Sequence, residues 1–168
     1  MSDMMSTPPH TTTPSGRWGP PGKIRNPGAV VLLSVVTFGI YGFYWDYQVF
    51  RELKEHTNEG VGGGLGLAIS ILAGILTMFL LPSEIGNMYA KAGEPKPVRG
   101  TTGLWMLLPI LAAPWIHVLV LPSPDTGFLI SFALWMIVSL AGIAVWTVKC
   151  QNALNRRWEA VSLLALAP

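Results

Sequence analysis

Four long apolar runs constrain this chain of 168 residues more than any other feature. They cover 29–45, 61–81, 104–121 and 128–148, and none of them contains Asp, Glu, Lys or Arg. At ~1.5 Å per residue, each run is about long enough to cross a hydrocarbon core of ~30 Å as a helix. Charged residues make up 12% of the chain, against roughly 25% in soluble domains. The sequence therefore predicts an all-α membrane protein with four transmembrane helices.

The runs divide the chain into three parts. Residues 1–28 are rich in Pro, Ser and Thr, a composition that offers little to bury, and they are predicted to form a disordered cytoplasmic tail. Residues 29–160 form a single four-helix transmembrane domain in this interpretation. Residues 161–168 are then a short C-terminal tail.

Local signals indicate where several helices begin and end. Asn26 can cap the first helix, and Pro27 suits its first turn. Ser83 can cap a short interfacial helix after the second run, which Gly93 would end. A polar, amphipathic helical extension is predicted beyond residue 148, continuing the fourth run along the membrane interface.

The distribution of basic residues predicts how the chain is threaded. Nine lysines and arginines fall in the N-terminal tail, the connection between the second and third runs, and the C-terminal segment. Only Arg51 and Lys54 fall in the opposite loops. Because cytoplasmic loops carry the excess of basic residues, both termini are predicted to be cytoplasmic.

Small residues recur at every fourth position of the second run, at Gly62, Gly66, Ser70 and Gly74. Such a face lets two helices approach closely, and packing of this kind holds spans together in lipid. The face packs either within the chain or against another subunit, and the sequence leaves both alternatives open. A phosphate-binding loop is disfavoured because these glycines run directly into an apolar segment.

Several blocks of the sequence resemble a known family of small bacterial membrane proteins, the domain of unknown function family 4234. The N-terminal blocks are Arg25-Asn26-Pro27, Thr37-Phe38-Gly39-Ile40-Tyr41 and Tyr44-Trp45-x-Tyr47. The later blocks lie in 80–89, 103–109 and 146–159. The resemblance implies a multi-pass protein of the bacterial cytoplasmic (inner) membrane, and it brings no activity and no catalytic residues.

The chain departs from the family pattern in one region. In the family the Gly-Leu-Trp block usually runs almost directly into the Lys-x-Gln block. Here about 30 residues, 110–142, intervene, so that one apolar segment is replaced by a hairpin of two. The family topology is therefore not transferred to the C-terminal third.

Polar residues of the resembling blocks fall near the predicted cytoplasmic interface. They form either helix caps and loop hydrogen bonds or a docking surface, and the sequence leaves this open. The candidate residues are Asn26, Glu84, Asn87, Lys149, Gln151 and Asn155.

The sequence favours a non-enzymatic function. It offers neither a metal-ligand spacing nor a plausible Ser-His-Asp set, so no catalytic residue, metal or cofactor is predicted. The net charge of +2 is too small to indicate nucleic-acid binding. We expect a scaffold or partner-binding membrane subunit whose partners are the lipid bilayer and a membrane protein or a second copy bound through the second run. The alternative is a small oligomeric transporter or channel.

Overall fold

The computed structural model describes residues 18–120 and 127–166, and in these residues it contains helices and no strand. The all-α prediction is therefore confirmed. The helices are α1 (Pro27–Val36), α2 (Ile40–Thr57), α3 (Gly62–Leu72), α4 (Gly74–Lys91), α5 (Leu104–Val120) and α6 (Gly127–Leu166), with a 3-10 helix over Gly100–Gly103 before α5.

The first apolar run is divided between α1 and α2. As predicted, Asn26 caps α1: its Oδ1 accepts hydrogen bonds from the amides of Gly28 and Ala29. The helix ends at Val36 because Phe38 and Gly39 adopt left-handed backbone conformations, with φ of 51° and 90°. The run predicted as one transmembrane helix over 29–45 is therefore not a single continuous helix, and a crossing by it is not confirmed.

Helices α1 and α2 fold back on each other as an antiparallel pair, the first hairpin. The guanidinium of Arg25 donates two hydrogen bonds to the Glu52 carboxylate, at 2.9 and 2.5 Å. The amide of Gly19 donates to the His56 carbonyl at 2.7 Å. In one straight helix, Arg25 and Glu52 would lie about 40 Å apart. The contacts therefore require a complete reversal of the chain between them.

The second apolar run reverses in the same way between α3 and α4, the second hairpin. Ala73 leaves the helical conformation, with φ −146° and ψ 55°. The Ser70 and Thr77 hydroxyls are 3.2 Å apart on the two arms, and the amide of Val61 donates to Glu84 Oε1 at 3.0 Å. A straight helix would separate Val61 from Glu84 by about 35 Å. The run predicted as one transmembrane helix over 61–81 is therefore also divided between two helices, and a crossing by it is not confirmed.

Helix α4 continues through Pro82, so the short interfacial helix predicted from Ser83 is not a separate element. Proline cannot donate to the carbonyl four residues earlier, which here belongs to Met78. The indole N–H of Trp146, on α6, donates to that carbonyl at 3.0 Å instead. The end predicted at Gly93 is confirmed, since α4 stops at Lys91 and Gly93 has φ of 76°.

Helices α5 and α6 form the third hairpin. They approach closely at Gly142, where an added Cβ would lie 2.5 Å from the Trp105 carbonyl oxygen. Helix α6 is unbroken to Leu166, which confirms a helical extension of the fourth run and corrects the tail predicted from 161. The connection 121–126 and residues 167–168 lie outside the described residues.

Among the described helices, α6 alone is long and apolar enough to cross a membrane, and only 6% of its most apolar stretch is buried. This exposure indicates association with a membrane rather than burial in a soluble core. It does not confirm four crossings.

The three hairpins leave apolar side chains exposed at one end and bury a core near the other. The apolar tips, residues 36–40 of the first hairpin and 71–76 of the second, include Phe38 and Leu72, which are 97% and 85% exposed. The core, by contrast, is formed where α2, α4 and α6 meet. Its largest members include Phe50, Leu53, Leu81, Ile85, Leu154 and Trp158.

Candidate functional site

The ends of the hairpins opposite the apolar tips form a single polar region, the polar base. It comprises residues 18–26, 46–61, 82–103 and 149–159. These segments hold every Asp, Glu, Lys and Arg that the structure describes. Within 18–120 and 127–166, the polar base is therefore the region in which charge-dependent binding or chemistry can occur.

The extended segment before α1 is held in the polar base by a hydrogen-bonded network. Arg25 binds Glu52, and its backbone amide and carbonyl pair with the Asn155 side chain at 3.1 and 2.7 Å. Gln151 donates to Asn155 at 2.8 Å and accepts from the Trp45 indole at 2.7 Å. The network joins the segment before α1 to α2 and α6, so residues 18–26 are not the disordered tail predicted for 1–28. Residues 1–17 lie outside the described residues.

The carboxylate of Glu52 favours the charged form of Arg25. Burial by itself would lower the pKa of Arg25, but the hydrogen bond and charge of Glu52 outweigh burial and raise the pKa above its usual value. The exposed fractions of the two side chains are 11% and 8%. The pair is therefore a buried link between the segment before α1 and helix α2.

An aromatic and cationic cluster lies next to this network. Trp18 stacks on the His56 ring with centroids 5.0 Å apart, and the Arg157 guanidinium lies over Trp18 at 4.9 Å. Arg157 also donates to Glu94 at 2.6 Å, and His56 meets the edge of Trp158. Burial lowers the pKa of His56, so this histidine is neutral at pH 7.

A small pocket of about 230 Å³ lies where the α2–α3 turn meets α4. Glu84 Oε1 accepts from the Val61 amide, while its buried Oε2 has no hydrogen-bond partner among the described residues. Burial raises the pKa of Glu84. Lys91 borders the same pocket and donates to Glu59 at 2.7 Å and to the Thr57 carbonyl at 2.8 Å.

Asp46 lies at the edge of the polar base nearest the apolar tips, and sequence reasoning did not single it out. Burial raises its pKa to about 7, against the lowering effect of a hydrogen bond with Ser70. Its position directly after the first apolar run was the sequence signal available for it.

The structure divides the six predicted polar candidates among different places. Gln151 and Asn155 belong to the Arg25 network, and Asn26 is a helix cap. Glu84 and Asn87 line the pocket on α4, where Asn87 accepts from Lys96 at 2.8 Å. Lys149 lies over the Trp105 ring at 6.0 Å.

Three residues that complete these groups were missed: Arg25, Glu52 and His56. Their partners lie 27 to 130 positions away in the chain, beyond the reach of any local pattern. Within 18–120 and 127–166, no group of three or more His, Cys, Asp or Glu residues is arranged to hold a metal ion.

The predicted small-residue face packs within the chain. Gly62, Gly66 and Ser70 are buried, and an added Cβ on Gly66 would overlap the Phe50 ring of α2. The fourth residue, Gly74, lies beyond the break at Ala73, and an added Cβ there would meet nothing within 4 Å. The face is thus covered by α2 of the same chain.

Comparison with known proteins gives one match. No curated protein and no solved structure matches the chain significantly. Residues 25–90, which contain the first two hairpins up to the end of α4, match the family described as "Domain of unknown function (DUF4234)". The resembling blocks at 103–109 and 146–159 lie beyond that match. Over residues 25–90 the resemblance seen in the sequence is confirmed.

Proposed function

We propose that the protein is a non-enzymatic scaffold or partner-binding subunit of the bacterial cytoplasmic membrane, which presents the polar base to a protein partner. The observation that carries this proposal is the network around Arg25, which ties segments far apart in sequence into one polar surface. A surface that is already ordered loses less conformational entropy on binding than one that must fold.

The outer side of the polar base supports recognition of a partner by charge. Its exposed charged side chains are free of the buried network and can meet complementary charges. They include Arg51, Lys54, Glu55, Arg156 and Glu159.

Membrane insertion through the third hairpin supports the location. The apolar first part of α6, residues 127–148, is about 33 Å long and can cross a hydrocarbon core of ~30 Å. Helix α5 has 17 residues, or about 25 Å, and would cross beside it with a local thinning of the bilayer. The basic residues at the polar base favour a cytoplasmic orientation for that end, and with it for both termini.

The proposal is tested by affinity purification of the tagged protein from native membranes in mild detergent. We expect one protein to co-purify at constant stoichiometry, and the charge reversal Arg156→Glu to reduce its recovery. Arg156→Lys keeps the charge and serves as the matched control. Recovery of the protein alone, with both variants behaving as wild type, would contradict partner binding.

One observation, on Asp46, supports the alternative function of a small oligomeric transporter. A carboxyl with a pKa of about 7 beside an apolar region can gain and lose a proton near neutral pH. Flux through liposomes containing the purified protein tests this alternative, with Asp46→Asn as the inactive control. An ion flux that Asp46→Asn abolishes would favour transport over a scaffold.

A further inference from the structure

We propose that the first and second hairpins are re-entrant: each enters and leaves the membrane through the same leaflet, and its apolar tip ends within the hydrocarbon. The exposed apolar side chains of both tips then contact the acyl chains of one leaflet. The inference concerns the topology of residues 27–91 and stands whether or not the polar base binds a partner.

The lengths of the hairpin arms support a partial insertion. Helix α1 has 10 residues and α3 has 11, so they are about 15 and 16 Å long. The hydrocarbon core is ~30 Å thick. An arm that starts at the polar base therefore ends near the middle of the bilayer, where the chain turns back.

The composition of the tips fits acyl chains. The first tip exposes Val36, Phe38 and Ile40 by 65%, 97% and 72%, and the second exposes Leu72 and Ile75 by 85% and 57%. Neither tip contains a charged residue. Two such exposed apolar patches indicate contact with lipid or protein rather than with water.

The backbone of the first tip is also compatible with a dry environment. A turn in hydrocarbon is costly unless its polar groups are paired within the protein. Here the amides of Thr37, Phe38 and Gly39 donate to carbonyls in the last part of α1, and that of Ile40 donates to the Thr37 carbonyl, at 2.7 to 3.1 Å. The Thr37 hydroxyl accepts from the next amide, that of Tyr41, at 2.9 Å. This pairing removes the main penalty against burying a turn in lipid.

The contacts at the opposite end determine which loops share a side of the membrane. Lys91 donates to both Glu59 and the Thr57 carbonyl, so the α2–α3 turn touches the end of α4. If 29–45 and 61–81 each crossed the bilayer, that turn and Lys91 would be separated by the whole ~30 Å core.

The re-entrant topology also brings the distribution of basic residues into closer agreement with the excess of lysine and arginine expected on the cytoplasmic side. With re-entrant hairpins, Arg51 and Lys54 join the other basic residues on the side of both termini. No lysine or arginine that the structure describes then faces the opposite side, as expected for a cytoplasmic polar base.

The test is cysteine labelling of the full chain in right-side-out and inside-out membrane vesicles with a membrane-impermeant maleimide. The native Cys150 is buried and provides the background. Glu59→Cys and Lys96→Cys report on the two loops, both at exposed positions. Phe38→Cys and Leu72→Cys report on the tips.

We expect Glu59→Cys and Lys96→Cys to be labelled in the same vesicle preparation and to lose labelling together in the other. The two tip cysteines should be labelled in neither preparation, but should react once the membrane is dissolved. Labelling of Glu59→Cys only in the preparation in which Lys96→Cys is protected would overturn the proposal. So would labelling of a tip from the side opposite to Lys96→Cys.

A second measurement tests the same topology if the cysteine in the α2–α3 turn reacts poorly with the impermeant maleimide. In the double variant Glu59→Cys/Lys91→Cys, a membrane-permeant bismaleimide too short to span the hydrocarbon core should link the two positions within one chain. Absence of the cross-link, while each single variant reacts with a permeant monofunctional maleimide, would contradict the re-entrant topology.

Discussion

Arg25 and Glu52 form a buried, two-point ion pair that joins the extended segment before α1 to the C-terminal half of α2. The pair closes the first hairpin at the polar base, 27 residues apart in the chain. Asn155 on α6 binds the backbone of the same arginine, so the closure of one hairpin is coupled to its packing against another.

Breaking this pair should destabilise the fold. Glu52→Gln leaves the Arg25 charge buried without a counter-charge, which costs on the order of 3 kcal/mol. We expect a lower thermal unfolding midpoint in detergent and faster proteolysis of residues 18–26. The double variant Arg25→Met/Glu52→Leu should recover part of the loss, because an apolar pair has no unpaired charge to bury.

The matched control for this prediction is Glu55→Gln. It breaks the exposed Arg51–Glu55 pair on the same helix, at 3.4 Å, and should change stability by less than ~0.5 kcal/mol. Equal effects of Glu52→Gln and Glu55→Gln would show that the Arg25–Glu52 pair does not stabilise the fold.

Gly66 should tolerate no side chain. An added Cβ would overlap the Phe50 ring and lie 2.8 Å from Phe50 Cβ, so Gly66→Ala should destabilise the α2–α3 packing by ~1–3 kcal/mol. Gly66→Leu should be more destabilising still.

The control Gly64→Ala lies on the exposed side of α3, where nothing would lie within 4 Å of the added atom. It should be neutral or stabilising by up to ~1 kcal/mol, the gain in helix propensity. Thermal unfolding in detergent compares the variants.

Gly39 tests the reversal of the first apolar run. Its φ of 90° is unfavourable for any L side chain, and an added Cβ would meet nothing within 4 Å. Gly39→Ala should therefore cost about 1–2 kcal/mol through backbone strain alone. Gly42→Ala, in α2, should be neutral or stabilising. If Gly39→Ala were instead as stabilising as Gly42→Ala in an unfolding experiment, residue 39 would be helical and the run would not reverse there.

Glu84 should make stability depend on pH. Burial raises its pKa in the folded state above the ordinary value of 4.5, so between these two pKa values the folded state binds more protons than the unfolded state. Stability contributed by this group is therefore lost as pH rises through that window. Glu84→Gln keeps an acceptor for the Val61 amide and should be more stable than wild type at pH 7. The advantage should vanish below about pH 4.5, as measured by unfolding midpoints across pH. An advantage independent of pH would contradict this assignment.

The signals that were local in the sequence predicted correct features. Apolar runs between polar segments gave an all-helical chain, and Asn26 caps α1 as its side chain chemistry requires. Family resemblance over residues 25–90 was also readable from short blocks. One further local signal was available and unused: Gly39, in the middle of an apolar run, can adopt the positive φ that the chain reversal requires.

The reversal of the chain within the first and second apolar runs was decided only by the tertiary structure. An apolar run of 17 to 21 residues has the same composition whether it crosses a bilayer once or enters and returns, so hydropathy cannot distinguish the two. The choice depends on contacts such as Val61–Glu84 and Lys91–Glu59, which join residues 23 and 32 positions apart. The break at Ala73 is followed directly by Gly74, which is likewise a glycine in the middle of an apolar run.

The sequence by itself determined which residues avoid water, which segments are helical and where the charges lie, because each of these follows from local side-chain chemistry. The tertiary structure alone decided that two runs reverse and that Arg25, Glu52, Gln151 and Asn155 meet in one network. Those features arise from hydrogen bonds and packing between distant segments, whose free energy exists only once the helices are assembled.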